Sequence, residues 1–206
     1  MSKHHFSYLA LGDSYTIGEG VPLHHCFPYQ AVQLLRAHGQ YFNAPEIVAK
    51  TGWTTAELAE HILHTKLNEQ YDFVSLLVGV NNQYRGLNTI DYKNDFEFLL
   101  RKALHFAADK PQHVIVLSIP DWSVTPFAKD RKQKKIADEI DAFNVINQNI
   151  AAQYKVQYVN ITESTRDAAD DESLIAFDKL HYSSKEYAKW ARLVSYVIEK
   201  AIQVKQ

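Results

Sequence analysis

Three side chains have the types needed to move a proton and attack an electrophilic carbon. They are Ser14 in Gly12-Asp13-Ser14, and the pair Asp178 and His181 in Asp178-Lys179-Leu180-His181. A serine hydroxyl is a weak nucleophile until a base takes its proton, and an imidazole serves as that base when a carboxylate orients it. The Asp-x-x-His spacing lets a turn bring the carboxylate to one ring nitrogen while the other stays free. Each piece also has a plainer reading, because Gly, Asp and Ser are ordinary turn formers and an aspartate often begins a turn beside an exposed histidine.

Two further positions can stabilise negative charge that develops on an oxygen. Gly52, in Lys50-Thr51-Gly52-Trp53-Thr54, offers a backbone N–H that no side chain obstructs, and Asn81, in Gly79-Val80-Asn81-Asn82, offers a side-chain amide. A strand-to-helix turn with Thr54 capping the next helix would also account for the glycine. Asparagines at strand ends often just satisfy loose backbone groups.

The elements that must position these residues are legible as short apolar runs with amphipathic segments between them. Strands are predicted over Phe6 to Leu11, Glu46 to Ala49, Phe73 to Val78, His113 to Ile119 and Val156 to Ile161. Helices are predicted over Pro28 to Ala37, Thr54 to His64, Tyr92 to Ala107, Lys132 to Tyr154 and Ser184 to Val204. Alternation of this kind implies right-handed crossovers and a mostly parallel sheet of about five strands, an α/β fold built as a three-layer α/β/α sandwich. The runs Val74 to Val78 and Val114 to Leu117 are nearly continuous, as expected of central strands covered on both faces. Irregular insertions are expected at Ile17 to Phe27, Gln83 to Ile90, Pro120 to Asp130 and Glu163 to Leu180. Ligands bind beyond the carboxyl ends of such strands. The serine after the first strand, glycine after the second, asparagine after the third and Asp-x-x-His before the last helix therefore share one sheet edge.

Composition narrows the partners. The 206 residues, 46% of them hydrophobic, suit one domain spanning 1–206. A formal charge of -2 gives no drive toward nucleic acid or an anionic membrane, and no run approaches the roughly 18 apolar residues of a membrane span. Cys26 is the only cysteine, which fits a reducing, cytoplasmic compartment, and the short apolar run Tyr8 to Leu11 after Met1 to Ser7 is too brief for a signal-peptide core. His24-His25-Cys26 lacks the further ligands a metal needs, His61 and His64 share a solvated helix face with Glu57 and Glu60, and the basic run Lys129 to Lys135 reads as an exposed helix start. Neither a phosphate-binding glycine loop nor a His-Glu-x-x-His zinc signature occurs, and Thr16 breaks the Gly-x-Ser-x-Gly elbow of α/β-hydrolases.

Gly12-Asp13-Ser14, Gly52, Gly79-Val80-Asn81 and Asp178-Lys179-Leu180-His181, in this order, resemble the four blocks of the SGNH hydrolases, also called the GDSL esterase/lipase superfamily. The resemblance covers nearly the whole chain and implies a flavodoxin-like fold. It also implies a serine esterase with Ser14 as nucleophile, Asp178 and His181 completing a triad, and an oxyanion hole of the Ser14 and Gly52 N–H groups with the Asn81 amide. Tyr15 stands where the signature usually has leucine, and Asn82 where the third block often has aspartate. No metal or organic cofactor is implied. The expected partner is a small-molecule ester, with the number of copies in the assembly left open.

Trp53, Tyr84, Arg85 and Trp122, with Phe127, lie just after strands and are expected along the cleft. With no long apolar lid segment, short acetyl-like esters of a small polar or carbohydrate substrate are expected, cleaved through an acyl-enzyme on Ser14. The alternatives are a lysophospholipase or thioesterase, an acyltransferase on the same triad, and a non-catalytic module that binds a small ligand.

Overall fold

Apolar runs in strand conformation need both faces covered, and here they pair side by side beneath two layers of helix. The computed structural model describes residues 4–203. Met1 to Lys3, and Val204 where the last helix was expected to end, lie outside the described residues. The strands are β1 (Tyr8–Asp13), β2 (Glu46–Lys50), β3 (Phe73–Leu77), β4 (Val114–Leu117) and β5 (Gln157–Val159). They form one parallel five-stranded sheet in the order β2-β1-β3-β4-β5. The fold is the α/β sandwich expected from the sequence, with β3 at the centre.

The long helices are α2 (Phe27–Ala37), α3 (Thr55–His64), α5 (Thr89–Phe106), α6 (Gln133–Gln153) and α8 (Ser184–Gln203). Three helices of four or five residues stand at strand ends: α1 (Ser14–Ile17), α4 (Val80–Tyr84) and α7 (Thr162–Arg166). The sheet order reverses direction after β2, so right-handed crossovers put α2 and α8 on one face and α3, α5 and α6 on the other. In α8 the buried residues Tyr187, Trp190, Ala191, Val194, Ile198 and Ala201 recur at helical spacing and form the stripe that packs on α2. The first turn of α3 is fixed by a capping box. Its Glu57 N donates to Thr54 Oγ1, while Thr54 N donates to Glu57 Oε2 at 2.7 Å.

Two differences from the sequence expectation bear on the site. The first strand starts and ends later than its apolar run, because Phe6 makes only an isolated bridge to Phe42 while Gly12 and Asp13 continue the ladder opposite Ala49 and Lys50. The expected loops after β1, β3 and β5 instead open with the short helices α1, α4 and α7, which are too brief for periodicity to reveal.

Gly12 is where the first strand and the site meet. A Cβ there would lie 2.0 Å from Thr16 Oγ1 and 2.4 Å from the Leu77 carbonyl oxygen, so only glycine lets α1 fold back on β1 beside β3. Asp13 follows, fully buried, and caps α1 by accepting from Tyr15 N at 3.0 Å. Burial pushes its carboxyl up from the ordinary 3.8 to about 7, against the pull of the Tyr15 and Gly79 backbone N–H groups.

Gly12→Ala should therefore lower the free energy of unfolding by roughly 1–3 kcal/mol or more, measured by urea denaturation. A pH series tests Asp13. Between 3.8 and about 7 the folded chain keeps a proton that the unfolded chain has lost, so this group makes stability fall as pH rises through that window. The unfolding free energy of Asp13→Asn should lack that fall, and parallel curves for variant and wild type would contradict it.

Candidate active site

Ser14 is the first residue of α1, so its backbone N–H has no intrahelical carbonyl to bond. Its Oγ lies 2.9 Å from His181 Nε2. On the other side of the ring, His181 Nδ1 lies 2.6 Å from Asp178 Oδ2. With the Nδ1 proton donated to the carboxylate, Nε2 is left as acceptor for the serine hydroxyl. Ser14 and His181 are both buried, at 4% and 7% exposure, and Asp178 is half-buried.

The turn that presents the histidine is built locally. Lys179 takes a left-handed conformation with φ 63°, doubling the chain back so that Asp178 Oδ1 accepts from Leu180 N at 3.0 Å and His181 N at 2.9 Å. Burial works against the Asp178 charge, but these N–H donors and the imidazole outweigh it and hold the carboxyl below its ordinary value. The turn is anchored by an antiparallel bridge between Ile175 and Tyr182, in which Ala176 N donates to His181 O at 2.8 Å. Behind the imidazole stands Tyr15, buried, its ring centroid 5.0 Å from that of His181.

Gly52 has φ 84°, a conformation that favours glycine, and sits in the turn between β2 and α3. Asn81, in the first turn of α4, donates from Nδ2 to the Trp53 carbonyl at 3.0 Å, which leaves the second amide hydrogen for another acceptor. The neighbouring Asn82 has a different task. Its Oδ1 accepts from Thr55 N at 3.0 Å and its Nδ2 donates to Thr55 Oγ1 at 2.8 Å, tying α4 to the start of α3. Asn82 therefore fills the signature position with a helix-to-helix tie and leaves the Asn81 amide to its own contact.

A cleft of about 160 Å³ opens over Ser14, Asn81 and His181, lined also by Tyr15, Val80, Tyr84, Trp122, Phe127 and Leu180, and Gly52 is not among its lining residues. Tyr84 and Trp122 are thus in the cleft wall, as expected. Trp53 and Arg85 are not among its lining residues. The Trp53 ring packs on His61 at 4.7 Å. Arg85 donates to the Gly52 carbonyl at 2.5 Å and to Glu57 Oε1 at 3.2 Å, bracing the 52 turn instead of facing the cleft. Proximity to a strand end, the signal used for both, does not say which way a side chain turns. Val80 and Leu180 were missed because each is an apolar residue beside a polar one of interest. Among the described residues no group of three or more His, Cys, Asp or Glu side chains is disposed to hold a metal, and no helix is long and apolar enough to cross a membrane.

No curated protein matches the chain by sequence. Solved structures match it over nearly their full length. TesA has 17% identity and a TM-score of 0.75, covering 95% of this chain and 99% of that one. The acetylxylan esterase Axe2 from Geobacillus stearothermophilus has 15% identity and a TM-score of 0.74, covering 95% of each chain. A lipase/acylhydrolase from Enterococcus faecalis has 18% identity and a TM-score of 0.72, covering 95% of this chain and 96% of that one. Likeness at such identities is one of fold. The sequence profile of the GDSL-like lipase/acylhydrolase family matches residues 10–189, a span that holds Ser14, Gly52, Asn81, Asp178 and His181. The chain belongs to the GDSL-like lipase/acylhydrolase family and is a carboxylic ester hydrolase.

Proposed function

We propose that Ser14, His181 and Asp178 act as a catalytic triad on short-chain carboxylic esters of a small polar or carbohydrate substrate, through an acyl-enzyme on Ser14. The observation that carries this reading is one imidazole within hydrogen-bond reach of both partners, 2.9 Å from the serine hydroxyl and 2.6 Å from the carboxylate. Ser14 Oγ attacks the ester carbon as His181 Nε2 takes its proton, and the carbonyl oxygen becomes an oxyanion. The tetrahedral intermediate then collapses, and the same proton passes to the departing alcohol. Water repeats the sequence on the acyl-serine, losing a proton to His181 and returning the serine hydroxyl.

Asp178, ionised by its backbone donors, steadies the imidazolium formed in each half. The oxyanion is assigned to the Ser14 N–H, the Gly52 N–H and the Asn81 amide, which come from the ends of three adjacent strands.

Cleft size supports a small acyl group. At about 160 Å³ the cleft falls below the roughly 300–1,000 Å³ of sites that enclose drug-sized ligands, which favours a short acyl group such as acetyl over a fatty chain. The Trp122 Nε1–H donates to Gln83 Oε1 at 2.8 Å and the ring is almost wholly buried, so it backs the wall, whereas Tyr84, 48% exposed, offers an aromatic surface that suits contact with a sugar ring. The acetylxylan esterase named above, similar in fold, is consistent with an acetylated carbohydrate.

A fluorophosphonate probe should label the purified chain, p-nitrophenyl acetate should be turned over, and Ser14→Ala should lose both. Labelling that persists in Ser14→Ala would refute the assignment. Asn81→Ala should reduce kcat on the same ester by about 10²–10³. Chain length is read by an acyl series from acetyl to decanoyl, in which kcat/KM should drop beyond the shortest members, and a preference for long chains would overturn the acetyl reading.

A further inference from the structure

The aromatic wall of the cleft has a cation on its outer side. The Arg131 guanidinium carbon lies 4.7 Å from the Phe127 ring centroid, 5.4 Å from that of Tyr84 and 5.5 Å from that of Trp122. The three rings also meet one another, Tyr84 and Trp122 edge to face at 5.4 Å. All three line the cleft, whereas Arg131 does not. Tyr84 and Trp122 also border a second hollow of about 290 Å³, whose other walls include Arg131, Lys132, Lys135 and Glu139. The two hollows are therefore neighbours across a shared aromatic edge.

The second hollow has more positive charge than its own residues neutralise. Glu139, its one carboxylate, is engaged by Lys135 at 3.5 Å and by Gln83 Nε2 at 2.8 Å. Among the described residues Arg131 and Lys132 form no ion pair, and the first turn of α6 beside them contains no acidic residue. The chain as a whole carries a formal charge of -2, so this is not part of a general basic surface. Ring contacts hold a guanidinium in place while leaving its N–H edges free, the arrangement that receives a phosphate or carboxylate through paired hydrogen bonds.

We propose that Arg131 is a specificity-determining residue that favours esters carrying an anionic group, phosphate or carboxylate, on the part of the substrate that leaves the cleft over Tyr84 and Trp122. This rests on the ester-hydrolase reading of Ser14 and adds the charge of the substrate to it. The ester carbon sits at Ser14, the uncharged portion crosses the aromatic edge, and the anion meets the Arg131 guanidinium with Lys132 beside it. Arg131 takes no part in bond making.

The test compares kcat/KM for phenyl acetate, 4-acetoxybenzoate and 4-acetoxyphenyl phosphate in wild type and in Arg131→Met, which keeps an apolar stem against the rings and removes the charge. Comparing each ester between the two proteins cancels differences in leaving-group reactivity. Activity on at least one anionic ester should fall about tenfold in the variant, chiefly through KM, while phenyl acetate stays within about twofold. The larger of the two anionic losses identifies phosphate or carboxylate as the preferred group. Added salt should narrow the wild-type preference. An equal loss on charged and neutral esters would make Arg131 a mere prop for the rings and overturn the proposal, as would unchanged activity on both anions. Turnover of phenyl acetate by wild type reads the hydrolase separately. Its absence overturns both statements, and its presence without any charge effect overturns only this one.

Discussion

The register of three parallel strands is the constraint on which the site depends. Asp13 stands opposite Lys50 on one side, and Gly12 opposite Leu77 on the other, so β1, β2 and β3 end nearly level. Neighbouring strands are about 4.8 Å apart, and residues just past their ends fall within the width of one small substrate. That is how Ser14, Gly52 and Asn81, from three separate stretches of chain, come to one edge. A slip of one residue would exchange the side chains that β1 and β3 present to the two helix layers, and because both strands are buried throughout, both layers would have to be repacked. The histidine arrives by a different route, 167 positions from the serine, on a turn tied to the amphipathic helix that packs on α2.

Below that turn, buried polar groups leave the chain little choice of arrangement. Glu186, at the start of α8, accepts from Ser164 Oγ at 2.5 Å and Trp190 Nε1 at 2.9 Å and pairs with Lys189 at 3.0 Å. Tyr182 donates to the Asp121 carbonyl at 2.6 Å, and the Asp121 carboxylate holds Arg166 at 2.8 Å. A carboxylate taken out of water adds little net stability, but once its partners are in place any other arrangement strands a charge. These contacts join the segments after β4 and β5 to the helix that follows His181.

Much of this was legible because buried parallel strands are written as apolar runs. Phe73 to Val78 marks β3 almost to the residue, and His113 to Ile119 contains β4 but overruns it by three residues, while the turn residues beyond the strands mark the edge where Ser14, Gly52 and Asn81 stand and Asp178 and His181 arrive. What stayed hidden is orientation. Trp53 and Arg85 occupy the right stretches of chain but turn to His61, Glu57 and the Gly52 carbonyl, partners that lie on other residues of the same helix and turn. In the sequence, Arg131 has, with its neighbours, the pattern of an exposed helix start. Its contact with three rings depends on loops from β3 and β4 coming together, which no local pattern records. The single-turn helices were hidden for a simpler reason, being shorter than the period used to find helices.

The cleft wall and the turn that carries Asp178 and His181 share a main-chain bond. Tyr84, Trp122 and Phe127 supply none of the hydrogen bonds to the Ser14, Asp178 and His181 side chains among the described residues, and beside the Tyr182 bond to the Asp121 carbonyl, Phe127 N donates to the Lys179 carbonyl at 3.0 Å. A peptide-to-peptide strut is indifferent to which side chains stand at either end. The side chain at Phe127 can therefore change without breaking the bond that holds this part of the wall to the turn carrying His181.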